Sequence, residues 1–197
     1  MTARASRGRR PGAPDTRAEV LAAARASFAE KGFRGTTIRA VASAAGVDPA
    51  LVHHYFGTKD DLFVAALEIP VDPREILAPV VAAGPDGAGE RLLRTFLSVW
   101  DDPAIQPGLL ALVRSLMADD SAGLVRDGFI PVVVGPVLAS LVRDRPEVRV
   151  PLVASQMIGL IVARYVIAVP PLAQMPAEDL VARVGPVLQH YLTGDLP

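Results

Sequence analysis

The sequence contains no cysteine, which excludes disulfides, thiolate zinc sites and a cysteine nucleophile and fits a reducing cytoplasm. Histidine is scarce as well, three in all. His53 and His54 are adjacent, so on a helix their rings diverge by about 100° and cannot share one ion; His190 lies far along the chain. No activated nucleophile, purposeful carboxylate pair, phosphate loop or metal-ligand spacing is present. An enzyme is therefore not expected, nor a cofactor, nor a metal. Long apolar runs are few. The basic start MTARASRGRRPGAPDTR is followed by none, so it does not read as a signal peptide. LVASQMIGLIVARYVIAV, residues 152–169, carries Arg164 and Gln156 and lacks basic flanking loops. It reads as a helix buried on nearly all sides in protein, with no membrane as partner.

Apolar residues make up 51% of the 197, enough for one good core or two small ones. The net charge of −1 conceals an asymmetry: residues 1–60 hold ten Lys and Arg against five Asp and Glu, and the remaining 137 hold ten against sixteen. A basic front and an acidic back point to a polyanion bound at the front.

The pattern is helical throughout. Residues 1–14, rich in Arg, Gly, Ala and Pro, form a basic arm expected to be disordered. Thr16 with Glu19 has capping-box spacing, and Gly32 stops the first helix. Thr36 or Thr37 caps a second, whose apolar positions are Ile38, Val41, Ala42 and Ala45, with Gly46 at its end. Asp48 and Pro49 open a third that Gly57 terminates. Thr58 with Asp61 opens a fourth, running to about 69 before Pro70. GPDGAG (84–89), DDPAIQPG (101–108) and DRPEVRVP (144–151) read as connections. IPVVVGP (130–136) reads as a kinked or interrupted helix. The last two helices are expected at about 152–168 and 177–192.

GVDPALVHHYFGTKDDL (46–62) crowds four rings between two turn signals. Two short helices joined by Gly46-Val47-Asp48 and braced by a first make a helix-turn-helix pattern. At about 100° per residue, Val52 and Phe56 share the core face of the third helix, and Ala50 and His54 project nearly opposite. An exposed face of small and ring side chains suits a major groove, though idle surface rings would show the same spacing.

FRGTTIRAVASAAGVDPALVHHYFGTKDDLFVAAL resembles the DNA-binding domain of TetR-type (tetracycline-repressor-like) bacterial transcriptional regulators. Gly35, Thr36, Thr37, Ala45, Gly46, Val47, Tyr55, Phe56, Lys59 and Leu62 match its pattern across residues 16–67. The resemblance implies a phosphate contact at Thr37 and a base-reading or phosphate-binding role for Arg39. Asp48, Pro49, Ala50, Leu51 and His54 would face the groove, and His53, Tyr55 and Lys59 would grip phosphates, which fixes register rather than sequence. Leu51 departs from the family's frequent threonine and offers only apolar contact; His53 stands where tyrosine is frequent. Arg4, Arg7, Arg9 and Arg10 would follow the DNA backbone or minor groove, or simply be solvated.

A three-helix reader does not need the rest of the chain, so dimerisation and sensing are expected there. Ser155, Gly159 and Ala163 recur every fourth residue, a shallow groove for a second backbone. With Val184, Val187, Leu188 and Leu192 they suggest a four-helix interface between subunits, and the resemblance implies the same. Phe96, Trp100, Leu110, Val113, Met117 and Phe129 would line an apolar cavity, with Gln106 or Arg114 orienting a ligand; a filled core would show the same residues.

The expected fold is therefore all-α with about nine helices. Residues 15–60 would form the helix-turn-helix domain, 59–69 a connecting helix, and 70–197 a ligand-binding and dimerisation domain. The expected protein is a cytoplasmic homodimeric regulator, a repressor released from a two-fold symmetric DNA operator by a small, largely apolar inducer. A constitutive or architectural DNA-binding protein without an inducer is the alternative.

Overall fold

The computed structural model describes residues 15–118 and 125–197, with side chains described for 15–114 and 127–197. The four arginines of the N-terminal arm and the side chain of Met117 lie outside the described residues. Helix α1 spans Thr16–Gly35. Its cap is Asp15 and not Thr16: the carboxylate accepts from the N–H groups of Arg17 and Ala18 at 3.2 and 3.4 Å. A negative cap also suits the positive end of the helix dipole. Gly32, at φ 69°, breaks the helix where a stop was expected, and one further turn follows.

Helices α2 (Ile38–Ala44), α3 (Pro49–Phe56) and α4 (Lys59–Ala66) follow. Thr37 caps α2 by accepting from Ala40 N–H at 3.1 Å. Thr36 is fully buried, donating to the Gly32 carbonyl at 2.9 Å beside the Ser27 hydroxyl. Asp48 caps α3 through Ala50 N–H at 2.7 Å, and Gly57 ends it at φ 75°. The Thr58–Asp61 capping box forms at the start of α4. That helix ends at Ala66, short of the expected position near Pro70, because Glu68 turns to φ 51°.

Helices α5 (Pro73–Ala82), α6 (Ala88–Trp100) and α7 (Gln106–Ala118) form the middle of the chain. Helix α8 is a π-type stretch, Val125–Val134, that continues as α-helix over Gly135–Ala139. Pro131 inside it has no N–H for a regular ladder, so IPVVVGP is indeed an interrupted helix. Helix α9 begins at Pro146 rather than 152, runs to Leu160 and ends in a π-type turn, Ile161–Val166. PEVRVP is thus helical and not a connection: Pro146 occupies the first helical position, where its missing N–H costs nothing. A 3-10 turn, Leu172–Gln174, leads to α10, Ala177–Thr193. There is no strand among the described residues. Among the described residues ten helices stand where about nine were expected.

Two apolar clusters organise them. One joins α1 to α4 around Phe28, Val41, Val52, Leu62 and Phe63, with Phe28, Phe33 and Phe63 in mutual ring contact. The other joins α5, α6, α9 and α10 around Leu93, Leu97, Val153, Leu180 and Leu188. Helix α8 belongs to both: Val133 is buried in the first cluster, and Val134 packs against each. Helices α6 and α10 approach closely where Gly89 faces Gly185. Helix α6 has no side-chain cap of its own, and the Gln189 side-chain oxygen on α10 accepts from Gly89 N–H at 2.9 Å.

Several expected roles change here. Leu188 and Leu192 are fully buried inside the subunit, so they cannot meet a partner directly. Helix α9 is long and apolar enough to cross a membrane, yet only 28% of that stretch is buried in this chain, not nearly all of it. Its two arginines are both engaged by protein groups: Arg149 by Asp144 and the Tyr191 and Gly194 carbonyls, Arg164 by the Leu172 and Met175 carbonyls.

Candidate nucleic-acid interface

Helix α3 is only eight residues long, too short to hold itself in water. Its stability comes from both caps and from Val52 and Phe56, which are buried in the first cluster. Once that face is fixed, the helix period decides the other. Ala50, His53, His54 and Tyr55 are exposed, Pro49 and Leu51 half-buried, and Asp48 stands exposed at the cap. Tyr55 is 40% exposed and leans towards His54, with ring centroids 5.7 Å apart. The outward surface therefore combines one small residue, one aliphatic and three rings. Thr37 and Arg39, at the start of α2, are exposed as well.

His53 is held in a defined pose. Its Nδ1 lies 2.8 Å from the Gly57 carbonyl, which can only accept, so Nδ1 carries the hydrogen and Nε2 faces outward. Lys59, at the first position of α4, stacks its ammonium over the Phe33 ring at 4.4 Å. Burial holds its pKa below the ordinary lysine value, with Asp60 opposing. A partly desolvated cation beside a positive helix end gains from an incoming anion. Arg17 was not singled out in the sequence, yet its guanidinium lies over the Phe56 ring at 5.1 Å, at the C-terminal end of α3. An arginine one residue inside α1 has no helical periodicity linking it to α3, so the signal was absent.

The resemblance implies phosphate contacts at Thr37, His53, Tyr55 and Lys59, a base or phosphate contact at Arg39, and a groove-facing set of Asp48, Pro49, Ala50, Leu51 and His54, and none of these residues is buried. Lys59→Ala should weaken DNA binding equally across sequences and reduce the log–log salt slope by about one, and Arg39→Ala should weaken it with the melting curve unchanged. An unaltered slope and affinity in titrations at several salt concentrations would remove the residue from the interface.

The joint behind this surface is polar. Arg74, on α5, donates to Asp61 at 2.7 Å and to both oxygens of Asp72, the α5 cap. Asp61 is held below the usual carboxylate range by the Thr58 hydroxyl first and Arg74 second, and Asp72 chiefly by Arg74. Depressed folded-state values mean that the stabilisation is present above the unfolded carboxylate pKa and is lost as pH falls through and below it. An Arg74→Met chain should melt lower than wild type near neutrality, and the gap should narrow between about pH 5 and about pH 3. A gap that stays constant over that range would show the ion pairs to be idle.

The residues expected to line a ligand cavity are only partly brought together. Trp100 is buried, stacks on Tyr165 at 5.0 Å and contacts Phe96. Gln106 donates to the Trp100 carbonyl at 2.8 Å, and so braces the chain instead of facing a cavity. Leu110 and Val113 are half-buried, whereas Arg114 is exposed and orients nothing inside. Phe129 packs on the α1–α4 cluster, carried there by the π-type stretch. Two clefts stand out among the described residues, between α1 and α2 and between α8 and α9, and neither is lined by any of these side chains. Tyr165 had no signal in the sequence, since it joins Trp100 only through tertiary packing.

On the exposed side of α9, Ser155 and Gly159 are open and Ala163 is half-buried. Ile158 and, from α10, Val187 are 42% and 41% exposed. Val184 is half-buried against the second cluster.

Comparison with known proteins adds a second line. Residues 20–66 match the family model of bacterial regulatory proteins of the tetR family, and residues 86–192 match the tetracyclin repressor-like C-terminal domain. The chain is 30% identical over 136 residues to the HTH-type transcriptional regulator BetI of Paraburkholderia xenovorans strain LB400, covering 56% of this chain and 70% of that protein. It is 32% identical over 114 residues to BetI of Burkholderia cenocepacia strain HI2424, covering 49% of this chain and only 59% of that protein's length. A crystal structure of a TetR-family regulator from Streptomyces coelicolor A3 superposes with a TM-score of 0.52 at 37% identity, over 94% of this chain and 98% of that one.

Proposed function

Because this chain belongs to the tetR family of bacterial regulatory proteins and is a transcriptional regulator with a helix-turn-helix DNA-binding domain, we propose that it works as a homodimeric repressor. In this reading it sits on a two-fold symmetric operator until a small, largely apolar molecule releases it. The observation that carries the proposal is the division of α3, with Val52 and Phe56 in the core and Ala50, His53, His54 and Tyr55 turned to solvent. Selecting bound fragments from a genomic DNA library tests it. A two-fold symmetric consensus, with half-sites on the order of one helical turn apart, supports a dimer; enrichment with no consensus sinks the operator reading and leaves a constitutive or architectural role.

Dimerisation is assigned to the open face of α9, extended by Val187 on α10. Exposed apolar side chains gathered on one face mark association surfaces, and a β-carbon added at Gly159 would meet nothing of its own subunit within 4 Å. Gly159→Arg should therefore leave the subunit folded but monomeric, and lose operator affinity because one head must bind alone. Sedimentation of a variant that remains dimeric would move the interface elsewhere.

Release is assigned to the path between the two clusters. Helix α4 carries Lys59, and its cap partner Asp61 is clamped by Arg74 at the head of α5. Helix α8 touches α1, α4 and α5. A ligand that binds one arrangement of these helices more tightly changes the spacing of the two heads, by no more than its differential affinity, typically about 1–3 kcal/mol.

A further inference from the structure

The His53 ring is committed at one nitrogen and free at the other. Its Nδ1 lies 2.8 Å from the carbonyl of Gly57, the residue that ends α3 at φ 75°. A carbonyl oxygen only accepts, so Nδ1 must hold a hydrogen wherever this bond is kept. The neutral ring has one hydrogen to place, and Gly57 takes it. The ring is exposed, and Nε2 has no partner among the described residues. In the neutral ring that nitrogen is a bare lone pair. A DNA phosphate oxygen is an acceptor too. Two acceptors repel, so the neutral ring cannot make the phosphate contact expected of this position. The imidazolium can: it carries hydrogen on both nitrogens, and its bond to an anion is charge-assisted.

We infer that His53 holds a DNA phosphate only as the imidazolium, so that each head takes up a proton when it binds and loosens its grip as pH rises. The inference rests on the DNA-binding reading and names the proton as a co-ligand of that surface. The other groups around the ring do not share this property. His54, on the same helix, leans on Tyr55 and makes no hydrogen bond among the described residues. Either of its nitrogens can therefore carry the hydrogen, and it can donate while neutral. Asp48 is spent on the Ala50 N–H at the other end of α3, and Asp61, on α4, on Thr58 and Arg74. Asp60 stands exposed beside Lys59, and no carboxylate forms an ion pair with His53 among the described residues. The cations that neighbouring elements bring are Arg39 from α2, Arg17 from α1 over the Phe56 ring, and Lys59 from α4 over the Phe33 ring. The arginines stay charged at any working pH. Between about pH 5 and about pH 8 imidazole is the side chain whose ordinary change of charge falls.

A fluorescein-labelled duplex of arbitrary sequence is a sufficient probe, because phosphate contacts do not read sequence. Its affinity for the full chain is titrated across that pH range at fixed ionic strength. Affinity should fall as pH rises, approaching about tenfold per pH unit for each head once the ring is mostly neutral, the limit for one linked proton. His53→Gln, whose amide donates at every pH, should flatten this slope whatever its absolute affinity. His54→Gln and Lys59→Gln should keep it. In the free wild-type chain at high pH, nitrogen-15 spectra of the imidazoles should show the His53 hydrogen on Nδ1. Binding that ignores pH, a slope that survives in His53→Gln, a slope that vanishes in His54→Gln or Lys59→Gln, or a neutral ring with its hydrogen on Nε2 overturns the inference and leaves DNA binding standing. A duplex left unbound at every pH removes the DNA-binding reading, and the inference with it.

Discussion

Gly89→Ala should destabilise the subunit by about 3 kcal/mol or more, lowering the melting temperature by roughly 6–12 °C for a chain of this size. A β-carbon at Gly89 would strike the Gly185 carbonyl, the Gln189 nitrogen at 2.5 Å and the Gln189 α-carbon at 2.9 Å. All three are backbone atoms of α10, so no rotamer can move them aside, and the helices must separate. This is the most extensive helix pair among the described residues, and separation would also break the Gln189 cap on Gly89. Gly185→Ala should cost less, because its nearest neighbour, at 2.7 Å, is Glu90 Cγ, part of a flexible side chain. Calorimetry that finds Gly89→Ala as stable as wild type would show that the two helices are not held at this distance.

Arg149→Met should be nearly as damaging, at about 2–4 kcal/mol. The arginine is 1% exposed, and its guanidinium donates to Asp144 at 2.7 Å and to the Tyr191 and Gly194 carbonyls at 2.9 Å each. Those carbonyls end α10, where four orphan acceptors and the negative end of the dipole call for a cation. Methionine fills much of the volume but leaves the carbonyls without donors in a buried place. Lysine restores charge without the planar fork that serves three acceptors at once, so Arg149→Lys should recover only part of the loss. Because the residue ties α9 to α10, the same change should weaken self-association in sedimentation. Equal melting temperatures for wild type and Arg149→Met would show that water replaces the guanidinium freely.

The head was legible because each of its signals is local. Thr37, Asp48, Thr58 and the glycines at 46 and 57 act on neighbours within four residues, and the outward face of α3 follows from the helix period once Val52 and Phe56 are set. Elsewhere the determinants are distant partners. Leu188 and Leu192 share a periodicity with Val187, but only the position of α6 decides which side of α10 is internal. Gly89 looked like part of a connection because its role is to let α10 approach from a hundred residues away. PEVRVP looked like a linker because two prolines outweigh, on sequence alone, the anchoring that Arg149 gains at the end of α10. Phe129 was placed with the middle helices and lies instead against the first cluster, carried there by a π-type stretch that periodicity at 3.6 residues does not reveal.

That stretch bears on how the protein is made. Val133 completes the apolar interior beneath Phe28 and Phe63, and Gly128 leaves no more than the thickness of the Phe63 ring between α8 and α4. A nascent chain that has released only its first seventy residues from the ribosome has all three reading helices but not the segment that closes over them. The DNA reader is therefore finished late in synthesis, and a fragment cut after α4 would carry an open apolar wound rather than a portable module.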